Sequence, residues 1–70
     1  MIFKGILHGV DEGTAYTPAA DKGHTYKVAT VGKINGINVE VGDVLICLDD
    51  STVAATSSNV DTIKDKWVIV

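Results

Sequence analysis

Short apolar and β-branched runs alternate with glycine-rich turns along this chain, a pattern that predicts strands rather than helices. Residues 25–31 put Tyr26, Val28 and Thr30 on one face of a strand and Lys27, Ala29 and Val31 on the other. Asn35-Gly36 is the strongest local signal, because both residues tolerate the positive φ that a type I′ hairpin turn requires. It should join strands at 32–34 and 37–41. Val44-Leu45-Ile46-Cys47-Leu48 is apolar at every position. A run of that kind suits a central strand covered on both faces, reached through a tight Val41-Gly42-Asp43 turn. Residues 2–8, interrupted by Lys4 and Gly5, and residues 66–70 complete the strands.

Two stretches break the pattern. Residues 9–23 mix Gly, Asp, Thr, Ala and Pro and read as a long loop, with room for one further short strand. Residues 49–65 open with Asp49-Asp50-Ser51-Thr52. Within them Ser58 and Asp61 resemble a helix N-terminus, and Val60, Ile63 and Trp67 fall at i, i+3 and i+7. A one- or two-turn helix near 58–65 and an irregular loop both fit. The expected fold is all-β: one domain over 1–70, a small barrel or sandwich of five to six short strands with at most one short helix.

Size and composition narrow the function. A chain of 70 residues buries only about 60% of the surface its unfolded form exposes, so small domains lean on disulfides, metals or partner subunits. Cys47 is the sole cysteine, which excludes an internal disulfide, and with only His8 and His24 beside it a four-ligand zinc site lacks donors. Elimination leaves partner subunits, or a module that is simply well packed by itself. The net charge is −3, and the six lysines stand apart, so nothing tracks a phosphate backbone. The four aromatic residues are too dispersed to stack bases. No run approaches the ~20 apolar residues of a membrane helix. The apolar end Trp67-Val68-Ile69-Val70 fits a segment cut from a longer chain, or a last strand protected by packing.

Catalysis finds little support. No Gly-x-Ser-x-Gly elbow accompanies the serines, which gather in one polar stretch. Cys47 sits in the most apolar strand, where burial makes a thiol inert. Asp49 and Asp50, with Asp43 or Asp61, lack the alternating ladder and terminal Glu of an EF-hand loop and read as a solvated turn rather than a calcium site. His8 and His24 read as polar residues at strand edges rather than a metal pair or pH switch. Tyr26 and Trp67 have the chemistry to stack on a sugar ring, but Trp67 suits the core, leaving Tyr16 in the long loop as the exposed aromatic. No catalytic, metal or cofactor residue is expected, and the residues of any ligand site stay undefined. Asn38-Val39-Glu40-Val41-Gly42-Asp43-Val44-Leu45 is similar to part of a lipoyl domain, but no lysine follows until Lys64, so no cofactor can be attached in the usual place.

A closer likeness runs through Gly23-His24-Thr25-Tyr26-Lys27-Val28-Ala29-Thr30, Gly32, Val39-Glu40-Val41-Gly42-Asp43-Val44-Leu45-Ile46-Cys47 and Lys66-Trp67-Val68-Ile69-Val70. These blocks, spanning roughly residues 21–70, resemble modules of the head-fibre and tail-fibre proteins of tailed phages. His24 and Lys66 stand where that pattern has Asp, and residues 1–20 have no counterpart in it. The resemblance implies a non-enzymatic virion component that assembles as a trimer, contacts other virion proteins and contributes to attachment at a host-surface glycan. Strand faces such as Ile2/Ile6 or Ile37/Val39 would then pack between subunits. The alternative is a stand-alone carbohydrate- or surface-binding module of a bacterial protein, with an aromatic platform that the sequence does not display.

Overall fold

The computed structural model describes residues 1–50 and 53–70. The chain forms β1 (Ile2–His8), β2 (His24–Thr30), β3 (Gly32–Ile34), β4 (Ile37–Val39), β5 (Val44–Cys47), α1 (Val60–Ile63) with a 3-10 turn at Lys64–Lys66, and β6 (Trp67–Ile69). The fold is a small, mostly β domain. One sheet has the order β1-β2-β5-β6, and β3 pairs with β4 in a separate hairpin.

The hairpin turns where expected. Asn35 and Gly36 adopt φ of 53° and 76°, the doubly left-handed pair of a type I′ turn. The strand after it stops at Val39 rather than reaching residue 41. There the chain folds back on itself: the Asp43 carboxylate accepts the Glu40 N–H at 2.9 Å, and the Asp43 N–H donates to the Glu40 carbonyl at 3.1 Å. Similarly, β2 occupies 24–30 and leaves Val31 outside the ladder, exposed.

β1 runs parallel to β2, while β2–β5 and β5–β6 are antiparallel. A parallel pair needs a long crossover, usually a helix. Here residues 9–23 serve, laid along the hairpin as an irregular strap. Val10 and Ala15 form single bridges to Lys33 and Ile34. At its start the strap comes very close to the chain following β2. A Cβ on Gly9 would lie 2.7 Å from both the Thr30 carbonyl oxygen and the Gly32 nitrogen, so only glycine fits.

Ile34 and Val39 of the hairpin meet Val28, Leu45, Cys47 and Trp67 of the sheet in one core, joined by Ala20, Ala55 and Ile63. The short helical segment falls within 58–65 as one of the two expected alternatives, and it buries Ile63 ahead of Trp67. Its N-cap is Asn59 rather than Ser58. The Asn59 side chain is turned backwards, accepting the Thr56 N–H at 2.7 Å and donating to the Ala54 carbonyl at 3.2 Å. It orders the approach to the helix instead of capping it.

The expectation for residues 44–48 needs correction. β5 is central in strand order, between β2 and β6, yet among the described residues a full layer covers only one of its faces. Leu45 and Cys47 are buried, Val44 and Ile46 half-buried, and Leu48 exposed.

Candidate functional site: an uncovered apolar face

Residues directly opposite one another on neighbouring strands point to the same side of a sheet. The register therefore maps each face. Towards the core point Gly5 and Leu7 of β1, Tyr26 and Val28 of β2, Leu45 and Cys47 of β5, and Trp67 and Ile69 of β6. The opposite face carries two rows across all four strands. Phe3, Thr25, Ile46 and Val68 form one row. Ile6, Lys27 and Val44 form the other, with Val70 completing it through paired backbone bonds to Val44 at 2.8 and 3.1 Å. Leu48 extends this face at one end, opposite Lys66.

These positions face solvent. Phe3 is 65% exposed, Ile6 57%, Leu48 50%, Val68 37% and Val70 72%. Val44 and Ile46 are half-buried and Thr25 is buried, flanked by Phe3 and Ile46 in its row, and its hydroxyl donates to the Gly23 carbonyl at 3.1 Å. A sheet with one wet face ordinarily alternates apolar inward and polar outward. In the two rows of this sheet only Thr25 and Lys27 are polar, so both faces are apolar and the described residues supply one covering layer.

The other candidates are separated. Cys47 is buried beneath the hairpin, its thiol donates to the Asp49 carbonyl at 2.9 Å, and burial pushes its pKa up. That is the inert environment expected of it. His8 lies 2.6 Å from the Thr30 hydroxyl through Nδ1, while His24 accepts the Asp21 N–H at 3.2 Å, so each is engaged locally. Asp49 stands 3.8 Å from the Lys66 ammonium, and Asp50 accepts the Lys22 N–H at 2.8 Å. Among the described residues no group of three or more His, Cys, Asp or Glu side chains converges. Ser51 and Thr52 lie outside the described residues. Trp67 is buried against Tyr26, with ring centroids 6.0 Å apart and planes tilted by 51°, which removes it as a flat sugar platform. Tyr16 is partly exposed in the strap.

One cluster was not anticipated from the sequence. The buried Asn35 donates through Nδ2 to the Thr17 hydroxyl at 3.0 Å, and its Oδ1 accepts the Thr17 N–H at 3.1 Å. The Thr14 hydroxyl accepts the Gly36 N–H at 2.7 Å. The turn residue is therefore also the clamp that fastens the strap to the hairpin. Nothing in the local sequence pairs residue 35 with 17; only the bridge at Ala15 does. Of the strand faces expected to meet a partner, Ile2 and Ile6 are both exposed but do not share a face, because the register shift between Phe3 and Gly5 pairs Ile2 with His24 and Ile6 with Lys27; Val39 is 1% exposed and belongs to the core, so Ile37/Val39 is not a free face.

Comparison with family models, curated proteins and solved structures finds no match. The likeness to phage fibre modules thus stands on the sequence blocks described above. In the fold the greater part of those blocks falls on β2, β5 and β6, three adjacent strands of one sheet, while Gly32 opens β3 and Val39 ends β4 of the hairpin.

Proposed function

We propose that this chain is a non-enzymatic structural module of a phage head or tail fibre, built to assemble with copies of itself as a trimer and with other virion proteins. Such a module resides in the virion and contributes to attachment at a host-surface glycan. The observation that carries the reading is the sheet covered on one face only. A domain is ordinarily two packed layers around one core, and an apolar sheet face left open calls for another surface to cover it. A chain this small has little stability to spare, so burying that face between subunits favours both folding and assembly. The order of the resembling blocks along β2, β5 and β6 supports the same reading, as does a lone thiol that is buried and held protonated.

Absolute molar mass by light scattering across a concentration series tests the proposal. A mass three times that of the chain is expected at high concentration. A single-chain mass at every concentration would refute self-assembly by these residues.

A further inference from the structure

We infer that the outer face of the four-stranded sheet is where copies of this chain meet, each turning that face towards the common axis of the assembly. The inference rests on the assembly reading above and adds the surface and its partner. Its residues are Phe3, Ile6, Ile46, Leu48, Val68 and Val70.

Three features point to a second copy as the occupant. The first is chemistry. Within the two rows the face carries one charge, the exposed Lys27, and a lysine can cover apolar surface with its stem while its ammonium stays in water. A nucleic acid or an anionic membrane would find only Lys27 and, beside Leu48, a Lys66 that stands 3.8 Å from Asp49, whereas an apolar surface covers the rest of the face. The second is area. From the exposures above, the open apolar surface amounts to roughly 400–500 Å². Three copies turned inward would bury about 1,200–1,500 Å² in all, shared over three contacts that each fall below the ~1,000 Å² of a specific pair. One contact alone is weak, so assembly depends on concentration and gains from each further copy around the common axis. The third is shape. The domain measures 27 × 26 × 15 Å, a slab, and sheets stack face to face about 10 Å apart.

Sedimentation equilibrium on the full chain, Ile6→Lys/Val68→Lys and Ile37→Lys tests this. Ile37 belongs to the hairpin, in the layer on the core side of the sheet, and serves as the control. The wild type and Ile37→Lys are expected to associate alike, and the double variant at least tenfold more weakly, with circular dichroism verifying its fold. Should the double variant misfold, the single change Phe3→Glu takes its place. A wild type that assembles while face variants assemble equally well overturns the assigned face and leaves the assembly reading standing. A wild type that stays monomeric throughout overturns both.

Discussion

Replacing Asn35 tests how strap and hairpin are joined, because this residue holds a left-handed backbone and a buried side-chain clamp at once. Alanine at φ 53° meets the left-handed penalty of roughly 1–2 kcal/mol that L-residues incur there. It also strands the buried Thr17 N–H and hydroxyl, at about 1–3 kcal/mol for a buried polar group left unpaired. The combined loss is about 3 kcal/mol, against a total stability of about 4–10 kcal/mol for a domain of this length. Asn35→Gly relaxes the backbone but cannot restore the bonds, so it should fall between wild type and Asn35→Ala, about 1 kcal/mol above the latter. Urea unfolding followed by Trp67 fluorescence, at one fixed protein concentration, measures both. With a slope near ~1 kcal/mol/M for so small a chain, Asn35→Ala should lower the midpoint by about 3 M. A glycine variant with the wild-type midpoint would show that the clamp contributes nothing. Equal midpoints for glycine and alanine would show that the turn imposes no backbone demand.

Gly9→Ala should destabilise by about 2 kcal/mol or more, since its Cβ would press on backbone at Thr30 and Gly32 rather than on a movable side chain; thermal unfolding checks this, and a wild-type melting temperature would contradict the packing described. Cys47 should react slowly with thiol reagents until the chain is denatured. Its folded pKa is raised, so the associated stability is complete below the ordinary thiol pKa of about 8.5 and is lost as pH rises beyond it. Unfolding free energy measured from neutral to alkaline pH should fall less steeply for Cys47→Ala than for wild type, and identical slopes would contradict the burial of the thiol.

What the sequence made legible were features with local causes. Asn35-Gly36 specifies its turn because positive φ at two successive positions is nearly a property of those residues alone. The alternation over 24–30 places Tyr26 and Val28 inward without reference to anything distant. The helix at 60–63 was half legible: Ile63 and Trp67 fell on the buried side, but the cap moved to Asn59 because its side chain found partners behind it. Long-range pairing was not legible. No local signal says that β1 runs parallel to β2, or that the strap reaches across from Thr17 to Asn35. The all-apolar run at 44–48 was read as covered on both faces because apolarity reports the need for cover, not its source. One layer comes from this chain. The proposal is that other copies supply the second.

The most direct test of that claim is an isotope-filtered nuclear Overhauser experiment on a mixture of labelled and unlabelled chain at the concentration where the mass rises. Magnetisation transfer between copies is expected at the Phe3 ring and the methyl groups of Ile6, Ile46 and Val68. Assembly with transfer confined to residues of the opposite layer, such as Ile37, or no transfer between copies at all, would contradict the account.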